Sequence, residues 1–194
     1  ATRVARVPTD GKQGAPDVCL VEVGGTVGDI ESSVFLEALR QFQFQVPKGD
    51  FCLVHVSLVP CLGSVGEQKT KPTQHGVKEL RHLGLAPDMI VCRSEQKMDE
   101  DLKKSLSMYC QVPPTAIVNV HDISNVYRIP FVLQEQGVSN LLNKQFQLEW
   151  RLPTDLQKWQ VYADRADILA PPVDRRDEQT SYALPRGSVD CVRV

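Results

Sequence analysis

The chain has 194 residues, 42% of them hydrophobic and 24% charged, with a formal net charge of −2. That balance suits one soluble domain or most of one, and it offers no global attraction to nucleic acid or a membrane surface, so any anion site has to be local. The longest apolar runs, such as residues 52–59 (CLVHVSLV), are strand-sized and far below the ~20 residues that span a bilayer.

No signal-peptide pattern precedes the first apolar run, and the chain opens on Ala1 rather than Met, as expected of a processed terminus or a piece of something longer. Six cysteines, at 19, 52, 61, 92, 110 and 191, include no C-x-x-C pair, and His55, His75, His82 and His121 show no metal-ligand spacing. Cys19, Cys52, Cys92 and Cys110, in or beside apolar segments, are expected to be small core thiols in a reducing, cytoplasmic compartment rather than disulfides or zinc ligands.

In chain order, residues 1–16 read as an irregular lead-in, and 17–23 (DVCLVEV) as a buried strand. Beyond a glycine-rich loop, Phe35, Ala38, Leu39 and Phe42 recur at helical spacing, which predicts a helix over 32–43. Residues 51–60 form the second strand. Pro72 suits a first helical turn, Val77, Leu80 and Leu83 form an apolar stripe, and Gly84 offers a stop. A third strand covers 89–92. Asp99, Glu100 and Asp101 open a helix carrying Leu102, Leu106 and Tyr109, because acids favour a helix N-terminus. Residues 116–120 (AIVNV) form a fourth strand. A helical stretch broken at Pro130 spans 124–137, and another helix follows near 139–146. From about 168 no period remains, and the expectation for 170–194 is a chain without regular structure.

Strands alternating with helices imply an α/β fold, a Rossmann-like parallel sheet flanked by helices. Ligands of such sheets bind beyond the carboxyl ends of the strands, so the loops after Val23, Pro60, Cys92 and Val120 are expected on one edge. Four features there carry chemistry. Glu22, near the end of an apolar strand, is either a salt-bridge or helix-terminus partner or an oxygen ligand for Mg²⁺. Lys69 and Lys71 beside a helix start, with Thr70, Thr73 and Gln74 as neutral donors, form either a solvated basic turn or a grip on polyphosphate. Arg93 is a surface charge or a base contact. His121-Asp122 follows a strand, with Asp122 a site residue or a helix cap.

Taken together, the segments LVEVGGTVGDIES, HVSLVP, GEQKTKPTQ, LGLAPDMIVCRS and VHDISNVYRIP resemble the CTP synthase family, in its order and spacing, from about residue 1 to about 168. The match is to the second half of the amidoligase (synthetase) domain, and ALRQFQF suggests a eukaryotic member. The resemblance implies ATP-dependent amination of UTP to CTP, with Mg²⁺, ammonia from a separate glutaminase domain, and a homotetrameric assembly. It implies Glu22 as a magnesium ligand and Asp29, Ile30 and Glu31 as contacts to CTP. Lys69, Thr70, Lys71, Pro72, Thr73 and Gln74 correspond to the grip on UTP and CTP phosphates. Arg93, His121, Asp122 and Ile123 correspond to the ATP contacts. No residue is assigned as the catalytic group.

Three departures stand out. Ser105 occupies the place of a family lysine that contacts UTP and CTP; Lys104, one residue away, points about 100° differently on a helix, and a charge reaches the nucleotide only if Lys104 or Lys103 reaches around. No G-x-x-x-x-G-K-[ST] phosphate loop occurs, and no glutaminase segment follows. The tail, 169–194, diverges from the family. The expectation is therefore a partial CTP synthase, 1–168, itself inactive; the competing expectation is a non-catalytic nucleotide-binding or subunit-interaction piece.

Overall fold

The computed structural model describes residues 17–63, 66–148, 155–169 and, as backbone, 189–192. They fall into two units, one of residues 1–45 with 174–194 and one of 46–173.

The second unit is built on a parallel three-stranded sheet, β2 (Val54–Leu58), β5 (Met89–Ser94) and β6 (Ile117–His121), in the order β2-β5-β6. β5, at the centre, has Ile90 and Cys92 wholly enclosed, and β6 buries four of its five residues. Between β2 and β5 runs α2 (Lys71–His82), and between β5 and β6 runs α3 (Glu100–Cys110). Val77, Leu106, Cys110, Ile117 and Val118 join the strand residues in one core. Each wholly buried aliphatic side chain there contributes about 1.5–3 kcal/mol.

Local signals explain the helix ends. Pro72 sits in the first turn of α2, where its missing N–H costs nothing. At the other end Gly84 takes φ +80°, its N–H bonds to the carbonyl of Arg81, and the N–H of Leu85 bonds to the carbonyl of Leu80. That paired closure needs a left-handed residue, which glycine supplies. Asp99 caps α3 by accepting from the N–H of Leu102 at 2.6 Å. On α3, Leu106 and Cys110 face the core, while Tyr109, expected in the apolar stripe, is exposed; the inward row follows the i, i+4 spacing from Leu106.

Two elements lie outside the sequence expectation. A short antiparallel hairpin, β3 (Cys61–Leu62) with β4 (Glu67–Gln68), follows β2 directly. Beyond α4 (Ile129–Glu135) and α5 (Val138–Phe146), a helix α6 (Gln157–Leu169) docks through Arg128, which reaches Asp164 at 2.7 Å and Asp167 at 2.6 Å. The ring of Tyr127 lies 5.9 Å from that of Trp159. Hydrogen bonds from Ser124, and then from Arg128, hold the Asp167 carboxyl below its usual range. Pro130 does not break a helix here; it opens α4 after a 3₁₀ turn at Val126–Arg128.

In the first unit, β1 (Val18–Val21) is not a member of the parallel sheet. It pairs antiparallel with β7 (Val189–Val192), within the stretch expected to lack regular structure. A strand must place its N–H and C=O groups somewhere, and β7 takes them. The rest of that tail, 170–188 and 193–194, lies outside the described residues. After β1 comes α1 (Ile30–Gln45), whose inward residues are Ser32 and Leu36, whereas Phe35, expected on the inner stripe, is exposed. Ser32 tolerates burial because its hydroxyl donates to the carbonyls of Thr26 and Asp29.

One buried amide fastens the sheet. Asn119, 3% exposed in the middle of β6, donates through Nδ2 to the Cys92 carbonyl at 3.1 Å and to Ser94 Oγ at 2.7 Å. Its Oδ1 accepts from the N–H of Met98 at 3.0 Å. Asn119→Ala leaves those groups buried and unsatisfied, and chemical denaturation should show a loss of about 2–4 kcal/mol.

His55 faces α2 from β2, and a Cβ at Gly76 would lie 2.8 Å from its Nε2, so helix and strand touch where the glycine lacks a side chain. That nitrogen is buried without a partner, and burial holds the imidazole below its ordinary value of 6.5. The unfolded chain therefore binds the proton first as pH falls. Stability present above pH 6.5 is lost progressively below it. Melting temperatures recorded from pH 7.5 to 5 should fall more steeply for the native chain than for His55→Gln.

Candidate functional site

Parallel strands put the carboxyl ends of β2, β5 and β6 on one edge, and side chains hold the three loops that leave it. Ser94 Oγ, itself bound by Asn119, donates to the carbonyl of Gln96 at 2.7 Å. Gln68 Nε2, from the hairpin after β2, donates to the same carbonyl at 2.7 Å. The loops after β2 and β5 and the end of β6 are thus tied into one hydrogen-bonded chain. Sequence reasoning missed Asn119, Gln96 and Gln68; the available signal was a lone amide in the apolar run AIVNV.

At the first of these loops, the hairpin delivers the chain to α2. The N–H of Lys69 bonds to the carbonyl of Pro60 at 2.9 Å, which closes the hairpin base and fixes where the helix starts. Thr70 stands at the N-cap position but makes no side-chain cap, so the first-turn N–H groups point outward without a capping oxygen. Lys71 is exposed, and no ion pair engages it among the described residues. Lys69 is partly neutralised, with Nζ 2.6 Å from Glu67 Oε1. Gln74 Nε2 donates to Thr70 Oγ1 at 3.0 Å, bracing the turn.

Thr73 is placed differently from its neighbours. It is wholly buried, and its Oγ1 accepts from Ser57 Oγ at 3.0 Å. Its side chain holds α2 against β2 and does not face outward.

At the ends of β5 and β6, Arg93 Nη1 meets Asp122 Oδ1 at 2.9 Å, and the N–H of Asp122 bonds to the carbonyl of Ser94 at 3.0 Å. Asp122 is therefore bound to the neighbouring strand and is not a helix cap; Asn125 performs that role, accepting from the N–H of Tyr127 at 3.0 Å. His121 is half-buried, and its Nδ1 is enclosed without a hydrogen-bond partner, with Ile123 half-buried two residues on. With His55 Nε2 it is one of two imidazole nitrogens buried without a partner among the described residues.

Ser105 is half-buried on α3. Neither adjacent lysine stands in for a cation there. Lys103 pairs with Glu100 at 3.1 Å with its side chain only 12% exposed, and Lys104 pairs with Asp101 at 3.2 Å.

The glycine loop belongs to the other unit. Glu22 is exposed just after β1, so no burial cost demands a partner there, and no ion pair engages it among the described residues. Gly25 and Gly28 take φ +93° and +101°, conformations that suit glycine. Asp29 Oδ2 accepts from the N–H of Thr26 at 3.3 Å, closing the turn, and Ile30 and Glu31 open α1, both exposed. Among the described residues no group of three or more His, Cys, Asp or Glu could by itself hold a metal ion. Glu22 as a lone carboxylate fits Mg²⁺ that takes one protein oxygen, with phosphates and water completing its shell. Cys52, Cys61, Cys92 and Cys110 are free thiols, and burial pushes Cys92 up to about 12 and Cys52 to about 11, which disfavours the thiolate at both.

Comparison with known proteins is consistent across the chain. Residues 2–148 match the family model described as CTP synthase N-terminus. The chain is 51% identical over 178 residues to the CTP synthase of Dictyostelium discoideum, covering 86% of this chain and 31% of that protein. It is 48% identical over 184 residues to CTP synthase 1 of Danio rerio, 94% of this chain and 30% of that one. For CTP synthase 1 of Homo sapiens the identity is 50% over 169 residues, 86% and 29%. The chain spans under a third of the length of these relatives.

Thr73→Val keeps the shape and removes the acceptor for Ser57. It should lower stability by about 1 kcal/mol in denaturant titration while leaving the affinity for any triphosphate within about twofold.

Proposed function

The chain belongs to the CTP synthase family, in its N-terminal domain, and on that premise we propose that it supplies nucleotide-binding elements for the ATP-dependent amination of UTP to CTP. The observation that carries the reading is the start of α2, an uncapped helix N-terminus flanked by Lys69 and Lys71 at the carboxyl edge of a parallel sheet. Backbone N–H groups and two ammonium groups at one place suit a triphosphate. In this reading Lys69, Thr70, Lys71, Pro72 and Gln74 line the phosphates of UTP and of CTP, with Thr73 positioning the helix behind them. Ser105 offers a hydroxyl from α3 toward the same nucleotide, a weaker contact than a cation.

His121, Asp122 and Ile123, with Arg93, take the adenosine end of ATP; the unpartnered His121 Nδ1 supports this assignment. Glu22 holds Mg²⁺, and Asp29, Ile30 and Glu31 meet the nucleoside end of CTP. Magnesium held at Glu22 would supply positive charge against the phosphates of ATP. Ammonia then displaces the phosphate transferred to the pyrimidine oxygen. We place the reaction in the cytoplasm; no helix among the described residues is long and apolar enough to cross a membrane. Large apolar side chains exposed along α1, Ile30, Val34 and Phe35 among them, favour a covering surface, and assembly as a homotetramer belongs to the same reading.

The test is thermal unfolding of the purified chain with Mg²⁺ and UTP, CTP or ATP, alongside CTP formation from UTP, ATP and ammonia. UTP and CTP should raise the melting temperature, and Lys71→Ala should weaken both about tenfold, the loss of one charge-assisted hydrogen bond. Glu22→Ala should remove the magnesium dependence of ATP binding. Pyrimidine triphosphates that leave the melting temperature unchanged at millimolar concentration would sink the reading.

A further inference from the structure

The loop that leaves β6 is fastened at both ends, and the two fastenings differ in kind. At its start the N–H of Asp122 bonds to the carbonyl of Ser94, and Asp122 Oδ1 meets Arg93. At its far end the holder is α6. Asn125 divides its amide between two elements: Oδ1 accepts from the N–H of Tyr127 at 3.0 Å, while Nδ2 donates to the carbonyl of Ala163 at 3.2 Å and to the carboxylate of Asp167. Arg128 donates through Nη2 to Asp164 at 2.7 Å and to Asp167 at 2.6 Å, and through Nε to Asp167 at 3.1 Å. Ser124 adds a hydrogen bond to Asp167. His121, Asp122 and Ile123 therefore lie between β5 on one side and α6 on the other.

The α6 fastening is releasable. α6 buries Ala163, while Val161, Tyr162, Ile168 and Leu169 stay exposed. The rings of Trp159 and Tyr162 lie 5.9 and 6.4 Å from that of Tyr127, and the rest of the grip is polar. The side chain of Asp164 is 52% exposed and that of Arg128 29%. Ion pairs in contact with water hold weakly and loosen as salt rises. A segment with few buried apolar contacts opens far more readily than the core does. The loop after β6 thus has one end fixed by the sheet and one end that can let go.

We propose that α6 is a clamp on the turn His121–Ile123: docked, it holds the turn in the arrangement that takes ATP, and released, it lets the turn loosen. Asn125 and Arg128 are the positioning residues through which it acts. The inference rests on the reading of this turn as the adenosine contact. Linkage makes the effect mutual, so ATP held by the turn tightens the docking of α6. The start of α2 does not share the clamp, because the hairpin base and the Ser57–Thr73 bond hold it independently.

Amide hydrogen exchange of the whole chain, with isothermal titration of ATP and of UTP, tests this. Without nucleotide, the double substitution Asp164→Asn with Asp167→Asn should speed exchange across residues 123–128. It should weaken ATP about fivefold or more while UTP stays within about twofold. Asp167→Glu should keep ATP affinity closer to that of the native chain, and ATP should slow exchange across α6. Unchanged exchange at 123–128 in the double variant overturns the clamp, and so does ATP affinity that is unchanged although the turn has loosened. Equal losses for ATP and UTP also overturn it, since α6 would then only support the fold. If the native chain binds no ATP and the double variant still frees the turn, the clamp stands and the assignment of the turn to ATP falls.

Discussion

Three hydrogen bonds to the side chain of one buried asparagine decide the shape of the functional edge. Asn119 enters an otherwise apolar strand and spends both N–H groups on β5 and its oxygen on the loop leading to α3. Ser94 passes the connection to the Gln96 carbonyl, and Gln68 brings the hairpin after β2 to the same oxygen. Such a chain is useful inside a protein because each member, once satisfied, restricts the next, and any gap leaves a costly buried polar atom. On the backbone side, the carboxamide of Gln136 brackets β6 at the same residue, accepting from its N–H and donating to its carbonyl. The apolar core makes the sheet stable; this polar thread determines where its loops stand.

Electrostatic roles divide along that edge. The start of α2 carries uncompensated positive charge at Lys71, whereas the ends of β5 and β6 are internally balanced by Arg93 and Asp122. A balanced pair recognises by shape and by directed hydrogen bonds, and an unbalanced cluster attracts charge from a distance. The two places along one sheet edge thus differ in kind, one holding an unpaired cation and the other a charge-balanced pair.

Much of the fold was legible in the sequence wherever a local cause fixed the outcome. Pro72, Gly84 and Asp99 mark helix ends by chemistry that acts within a few residues, and the apolar runs of β5 and β6 need no partner to be recognised. What escaped was non-local. The hairpin of β3 and β4 consists of strands too short to show alternation. α6 is held by Arg128 through contacts more than thirty residues apart in sequence. The pairing of β1 with β7 depends on the far end of the chain. The same divide runs through the site. Lys69, Lys71 and Gln74 were identifiable as a cluster, but nothing in the string KTKPTQ distinguishes the inward Thr73 from its outward neighbours; only the facing hydroxyl of Ser57 does.

The hairpin between β2 and α2 closes at its base, where the Lys69 N–H meets the Pro60 carbonyl, and again nearer its turn, where the Gly66 N–H meets the Gly63 carbonyl. Position at the base is therefore uncoupled from length at the tip. Residues could be added or lost between Gly63 and Gly66 while Lys69 and the first turn of α2 remain where the sheet puts them. For an engineer this makes the tip a port, a place to graft a reporter or a binding loop within reach of the carboxyl edge of the sheet.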